Sequence, residues 1–217
     1  MTHVTPRVVP WFSCGAASAI ATKLVLGEGP ATIVYCDTGS EHEDNARFRA
    51  DCEAWFGQKV EVLKNQDYDD TWDVWEKRKF ISGHAGAPCT GELKISPRLL
   101  FQRPDDIHIF GYTNDKRDIE RAKNLRENFF ELTIRTPLIE RGLTKANCRA
   151  LLQGVGIKEP VTYDMGFPNA NCLKSGCGKA TSPDYWSLHR KMFPDGFAKT
   201  AALPSPPTST EEKEYAR

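Results

Sequence analysis

Short apolar runs typical of β-strands alternate with helical patterns along most of this 217-residue chain. The predicted strands are Val8–Phe12, Ala31–Tyr35, Val60–Leu63, Ile107–Phe110 and Leu132–Arg135. Strands that alternate with helices favour a parallel sheet covered by helices on both faces. Ligands of such sheets bind at the carboxyl ends of the strands. The pattern therefore predicts an α/β fold with a site among the residues that follow the strands.

Helical spacing and capping residues mark the helices between these strands. The predicted helices are Ala19–Leu26, Asn45–Phe56, Pro97–Gln102, Lys145–Gln153 and Asp184–Phe193. Neither an internal repeat nor a linker divides the chain, so we predict a single domain over residues 1–200. Residues 201–217 lack apolar periodicity, and we predict a disordered tail there.

Bulk composition limits the partners of the chain. Twenty-nine basic and 29 acidic residues cancel, so no global field attracts nucleic acid or an anionic membrane. No apolar run approaches the roughly 18 residues of a membrane span, and the N-terminus lacks the form of a signal peptide. Seven cysteines without a secretion signal indicate reduced thiols, metal ligands or reactive groups. We expect a cytoplasmic protein with no membrane partner.

A turn of small residues follows the first predicted strand and precedes a helix. Its residues are Ser13, Cys14, Gly15, Ala16, Ala17 and Ser18, hereafter the Ser13–Ser18 loop. Small side chains let backbone N–H groups approach an anion, and the helix N-terminus adds partial positive charge. Two serine hydroxyls add donors. The pattern predicts a phosphate-binding loop, although a tight strand-to-helix turn without a ligand explains it equally well.

Four later segments strengthen the phosphate-binding interpretation. They are Tyr35–Glu41, Cys89–Pro97, Gly111–Thr113 with the arginines that follow it, and Tyr163–Cys172 with Cys177 after it. Together with the loop, they resemble the phosphoadenosine phosphosulfate (PAPS) reductase family. This family belongs to the adenine nucleotide alpha-hydrolase-like, or PP-loop ATP pyrophosphatase, superfamily. The resemblance runs from about Val8 to Thr181. It implies a three-layer sandwich around a mostly parallel, twisted sheet of five strands, and a homodimer is compatible with it.

The resemblance also implies which residues bind the nucleotide. Ser13, Gly15 and Ser18 match the family's Ser-Gly-Gly-x-Asp-Ser signature for phosphates, whereas Cys14 replaces a glycine and Ala17 replaces the aspartate. The expected ligand is ATP, or PAPS, with Mg²⁺.

Residues outside the loop are expected to complete the nucleotide site. Asp37, Thr38 and Gly39 match the family's Asp-Thr-Gly near the nucleoside, where Asp37 would fix the nucleoside or Mg²⁺. Gly111 and Arg121 resemble a segment that faces the phosphates. In this interpretation, Lys94 and Arg121 neutralise charge that develops on the phosphates.

Cysteines suggest a metal centre. Cys89, Cys172 and Cys177 correspond in part to the ligands of iron–sulfur family members, and three thiolates from two loops would bind a [4Fe–4S] cluster with one open iron. Zinc with His84 as the fourth ligand, or three reduced thiols without metal, are the alternatives. The other cysteines are predicted to be buried core residues: Cys14, Cys36, Cys52 and Cys148.

The expected activity is ATP-dependent adenylation of an acceptor, a modified nucleobase or small molecule, coupled to sulfur transfer. One alternative is a sulfonucleotide reductase that uses a partner's thiol, because no cysteine follows Cys177. Another is a nucleotide sensor without catalysis, which the alanine at position 17 would permit.

Overall fold

The computed structural model describes residues 5–83, 86–170 and 172–203, which form two compact units. Among the described residues, the first unit comprises 5–36, 42–63 and 98–170, and the second comprises 37–41, 64–83, 86–97 and 172–203. The single domain over residues 1–200 stays a prediction. His84 and residues 204–217 of the predicted tail lie outside the described residues.

All five predicted strands form, at slightly different bounds. They are β1 Val8–Pro10, β2 Val34–Asp37, β3 Glu61–Lys64, β4 Ile107–Ile109 and β5 Thr133–Arg135. Three of them form a parallel sheet in the order β1-β4-β5, with Val8 opposite Ile107 and Ile107 opposite Thr133. The other two, β2 and β3, pair with each other. The α/β class is therefore confirmed.

The expected continuous sheet of five strands is wrong, because the structure has one sheet of three strands and another of two. β1 and β2 do run side by side: Thr32 N donates to Val8 O and Phe12 N donates to Val34 O, each at 2.8 Å. Between these two bonds lies Pro10, which has no N–H to donate to the neighbouring strand. The ladder is thus reduced to a single parallel bridge between Trp11 and Val34.

Helices connect and flank these strands. In chain order they are α1 Ala16–Leu26, α2 Asp44–Phe56, α3 Thr71–Arg78, α4 Pro88–Thr90, α5 Ser96–Phe101, α6 Lys116–Asn128, α7 Pro137–Glu140, α8 Lys145–Gly154, α9 Val161–Asp164, α10 Pro183–Met192 and α11 Pro194–Ala201. A π-helix, Gly91–Ile95, links α4 to α5. No helix among the described residues has both the length and the apolar character to cross a membrane.

The core of the first unit lies where α1, α2 and α8 pack together with the strands. Phe48 and Cys52 on α2 and Leu152 on α8 are fully buried. Phe48 and Cys52 lie about one helical turn apart and form the buried apolar face of α2. Cys14, Cys52 and Cys148 are buried as expected, but Cys36 at the end of β2 is partly exposed.

The second unit is held together by buried side chains and by a chain of hydroxyl groups. Trp75 on α3 and Leu93 on the π-helix are almost fully buried. The Thr71 hydroxyl lies 2.7 Å from that of Ser40 and 2.5 Å from that of Ser175. These bonds fix the segment before α10 against the start of α3.

Candidate functional site

The Ser13–Ser18 loop follows β1 and lies at the carboxyl edge of the strands. Trp11 N donates to Ile109 O at 3.0 Å, and Phe12 N donates to Val34 O at 2.8 Å. The two residues that follow β1 are therefore held on both sides, by β4 and by β2. Ser13 is the first residue beyond this support and is exposed. The strand end thus places the loop where ligands of parallel sheets bind.

The Ser18 hydroxyl organises the interior of the loop. Its oxygen accepts hydrogen bonds from the N–H groups of Ser13 at 3.1 Å and Gly15 at 3.4 Å, and it donates to Gly15 O at 2.9 Å. The Ser13 hydroxyl lies 3.2 Å from it. Two main-chain donors therefore converge on one oxygen atom at the start of α1. An oxyanion would satisfy the same donors, with the partial positive charge of the helix behind them.

Two residues show how tightly the loop is built. Cys14 has a φ of 53°, a left-handed conformation that glycine adopts easily and other residues adopt at a cost of about 1–2 kcal/mol. This is the position where the sequence replaces a glycine of the resembled signature. Gly111, after β4, approaches α1 so closely that a Cβ would lie 2.7 Å from Ser18 Cα and 2.9 Å from Ser18 N. Only glycine fits there without movement of the backbone.

Tyr163, which the predicted site did not include, packs against this loop. A Cβ on Gly15 would lie 3.3 Å from the Tyr163 hydroxyl. Burial raises the pKa of Tyr163, and a hydrogen bond from the Ala16 N–H opposes that shift. The guanidinium of Arg149 lies 5.2 Å from the centre of the tyrosine ring. Lys145 lies 5.7 Å from it.

Basic side chains therefore gather beside the loop. Burial lowers the pKa of Lys145, and Arg149 and Arg121 lower it further, whereas Asp118 and Asp115 raise it. Arg121, a predicted catalytic residue, is largely exposed; it donates to Asp118 at 2.8 Å and stacks on the Tyr112 ring at 5.0 Å. Three cations within mutual electrostatic range, two of them packed on Tyr163, can attract an anionic ligand.

In the second unit, Asp37, Thr38 and Gly39 form a tight turn. The Asp37 carboxylate accepts the Gly39 N–H at 2.9 Å. Thr38 is buried and donates its hydroxyl to Glu41 at 2.6 Å. Gly39 has a φ of 68°, and a Cβ there would overlap the Asp69 carbonyl. The conformation of the turn thus requires its glycine, whereas the role of the turn beside a nucleoside stays a prediction.

Lys94 in the second unit lies among the three cysteines that the sequence assigned to a metal. It projects from the π-helix, a rare element that is frequent at functional sites. Burial lowers the pKa of Lys94, but Cys172, Glu41, Cys177 and Cys89 raise it, and the net shift is upward.

Burial also shifts the pKa values of the cysteines around Lys94. Burial raises the pKa of Cys172 to about 11, against the effect of Lys94. Burial likewise raises the pKa of Cys89, and the charge of Lys94 opposes that shift. The Cys172 sulfur also lies 3.6 Å from the Thr38 hydroxyl. Three thiols thus lie within electrostatic range of one cation. The charge of Lys94 favours the thiolate form of these cysteines, whereas the low polarity of their surroundings opposes it.

These thiols do not fit a metal centre in the part of the chain that the structure describes, which leaves out His84. There, no three cysteine, histidine or carboxylate side chains lie together in a way that would hold a metal ion. The [4Fe–4S] cluster and the zinc ion are therefore not supported by these residues, and no chemical step is assigned to either.

The predicted site residues thus fall into two groups. The loop, Gly111 and Arg121 lie in the first unit, whereas Asp37, Thr38, Gly39, Lys94 and the three cysteines lie in the second. Tyr163 lies in the segment Tyr163–Cys172, which the family resemblance had already linked to the nucleotide site. Its place beside the loop could therefore have been predicted. Lys145 and Arg149 offered no such signal, because their basic side chains are typical of an ordinary helix surface.

Comparison with known proteins identifies the fold. No protein-family model and no curated protein sequence matches the chain. Among solved structures, it is similar to the crystal structure of phosphoadenylyl-sulfate (PAPS) reductase from Candida auris in its phosphate complex. The two chains are 11% identical, with a TM-score of 0.57, and the match covers 77% of this chain and 82% of the other. The chain therefore has a PAPS reductase-like fold.

Proposed function

We propose that this chain is an enzyme that binds an adenine nucleotide at the Ser13–Ser18 loop and adenylates an acceptor, to which sulfur is then transferred. The observation that supports this most is the convergence of the Ser13 and Gly15 N–H groups on a single oxygen at the start of α1. The fold supports it as well, since the similar structure is that of a PAPS reductase.

In the proposed first step, the Ser18 hydroxyl holds the Ser13 and Gly15 N–H groups in position, and an anionic phosphate oxygen of ATP shares these donors with it. Arg121, with Lys145 and Arg149, neutralises the negative charge of the phosphates. An acceptor oxygen attacks the α-phosphorus, a new P–O bond forms, and the bond to the β-phosphate breaks. Pyrophosphate leaves, and the acceptor carries AMP.

In the proposed second step, the sulfur of a hydrosulfide ion attacks the activated carbon of the acceptor and a C–S bond forms. AMP leaves with the electron pair of the broken C–O bond. The roles of Asp37 and Mg²⁺, the homodimer, the acceptor and the cytoplasmic location stay predictions.

Ser18→Ala tests the phosphate role. We expect the variant to bind ATP about tenfold more weakly in titration calorimetry, since losing a partner of two N–H groups costs about 1–3 kcal/mol. Thr22→Ala is the matched control: it also removes a hydroxyl from α1, but this hydroxyl donates to Ser18 O, one turn beyond the loop. Unchanged ATP affinity in Ser18→Ala would refute the phosphate role of the loop.

A second candidate function is reduction of a sulfonucleotide by a thiol from a partner protein, which the likeness to a PAPS reductase favours. Thermal stabilisation by ATP and by PAPS, measured side by side, separates the two activities. Stabilisation by PAPS alone, without pyrophosphate release from ATP, would favour the reductase. Stabilisation by ATP without pyrophosphate release would instead favour a nucleotide sensor.

A further inference from the structure

Arg98 in the first unit is a buried cation with an edge of unused hydrogen-bond donors. The residue is 5% exposed, and among the described residues its Nε and Nη2 atoms have no hydrogen-bond partner. One face of its guanidinium lies over the Phe129 ring, with Cζ 4.2 Å from the ring centre, and this contact uses no N–H donor. A buried guanidinium stays charged, and a buried charge without a counter-charge is strongly destabilising. The edge formed by Nε and Nη2 therefore favours an anion with two oxygen atoms, which accept from both donors in parallel.

Gln102, directly after α5, supplies a complementary acceptor. Gln102 N donates to Arg98 O at 2.8 Å, so the two residues are one helical turn apart and their side chains lie on the same face. The Gln102 Oε1 atom is buried and has no hydrogen-bond partner in the described part of the chain. The two side chains are thus neighbours that are not bonded to each other. A molecule between them can accept from the guanidinium and donate to the amide oxygen at the same time.

His108 on β4 cannot act as the counter-charge of Arg98. The ring centre of Phe101 on α5 lies 6.2 Å from that of Trp11, and Trp11 Nε1 donates to His108 Nδ1 at 3.0 Å. Because Nδ1 accepts this bond, the proton of the neutral imidazole is on Nε2, a buried atom without a hydrogen-bond partner among the residues that the structure describes. Burial lowers the pKa of His108 and so favours the neutral ring. His108 therefore adds a donor beneath α5 and no acceptor.

We propose that Arg98 and Gln102 bind a small oxyanion that retains a hydroxyl group, either hydrogen phosphate or hydrogen carbonate. Two oxygens of the anion accept from Arg98 Nε and Nη2, and its hydroxyl donates to Gln102 Oε1. An anion completes this arrangement better than water does, because water supplies hydrogen bonds but no compensating charge. The burial of Arg98 limits the site to a small ion. The site shares no residue with the Ser13–Ser18 loop, so it does not depend on the proposed nucleotide binding.

The hydroxyl group allows a test with pairs of anions that have the same shape. Sulfate is tetrahedral like phosphate, and nitrate is planar like hydrogen carbonate, but near neutral pH neither carries a proton. The signal is the Nε–Hε resonance of Arg98 in NMR spectra of the full-length protein, assigned by its loss in Arg98→Gln. Each anion is titrated at constant ionic strength in chloride. We expect phosphate to bind about tenfold more tightly than sulfate, or hydrogen carbonate about tenfold more tightly than nitrate, because only the protonated anion can donate to the buried acceptor.

Two variants separate the roles of the side chains. Gln102→Leu removes the acceptor and should reduce the affinity for the preferred anion to that of its partner without a hydroxyl. Arg103→Gln removes a charge from an exposed side chain close to the site, and it should leave the titration of the Arg98 resonance unaltered.

The proposal is wrong if the two members of each pair bind equally tightly, or if no anion shifts the Arg98 resonance. Should a variant not fold, the wild-type titration decides the question, with the resonance assigned through its backbone. Phosphate bound at the Ser13–Ser18 loop is told apart by the Arg98→Gln spectra, in which signals from that loop still shift.

Discussion

Gly111→Ala tests whether the close approach between the residues after β4 and the start of α1 sets the shape of the Ser13–Ser18 loop. The added Cβ would lie 2.7 Å from Ser18 Cα and 2.9 Å from Ser18 N, both of which are backbone atoms that cannot rotate away. Ordinary contact begins near 3.4 Å, so the backbones must separate by about 0.7 Å. Overpacking of this kind typically costs about 1–3 kcal/mol.

The same movement displaces Ser18, whose hydroxyl collects the Ser13 and Gly15 N–H groups. We therefore expect two effects of Gly111→Ala. The free energy of unfolding in urea should fall by about 1–3 kcal/mol, and ATP affinity should fall by tenfold or more, as a shift of a few tenths of an ångström weakens several hydrogen bonds at once.

Gly154→Ala is the control for Gly111→Ala. Gly154 is the last residue of α8, and a Cβ there meets nothing within 4 Å. The same chemical change should leave stability unaltered or raise it by about 0.5–1 kcal/mol, because alanine favours the helix. If Gly111→Ala is as stable as Gly154→Ala and binds ATP normally, the steric reasoning about the loop is wrong.

Two further predictions concern stability. Asp44→Asn should lower stability at pH 7 by about 2 kcal/mol, because hydrogen bonds from Arg47 hold the pKa of Asp44 at about 2, below its usual 3.8. Because the pKa of Asp44 is depressed, its contribution to the free energy of unfolding is present above about pH 4 and is lost as the pH falls to about 2. In the variant, the free energy of unfolding should therefore decrease less steeply as acid is added. Asp51→Asn, whose side chain is 44% exposed, should cost at most about 0.5 kcal/mol, and equal losses in urea unfolding would contradict this reasoning. Gly39→Ala should destabilise far more than Gly57→Ala, since both have positive φ but a Cβ meets a carbonyl only at Gly39; similar thermal midpoints would argue against the clash.

Local patterns predicted the elements of this fold well because their causes are local. The apolar runs of the five strands and the buried face of α2 follow from which side chains leave water, and each is visible in a few consecutive residues. The division of the sheet was not predicted. The effect of a proline on a ladder depends on which strand its nitrogen faces, and the segment Thr32–Val34 comes to lie beside β1 only in the folded chain.

The candidate site, like the fold, could be predicted only in part. The Ser13–Ser18 loop was predicted from its own residues, and its place after β1 is confirmed. Tyr163 reaches the loop from a distant segment, and Lys94 lies among thiols from two separate segments, so neither contact follows from spacing alone. The burial of Arg98 was also beyond prediction, since an arginine in a short helix is usually solvated and its burial depends on tertiary packing.

The interruption at Pro10 leaves the two sheets joined by one parallel bridge and two backbone hydrogen bonds. Strands joined in this way can change their relative twist more easily than β1, β4 and β5, which share a continuous register. We therefore expect a substitution at the end of β2 to disturb the strand end that carries Gly111 less than it would in a continuous sheet of five strands.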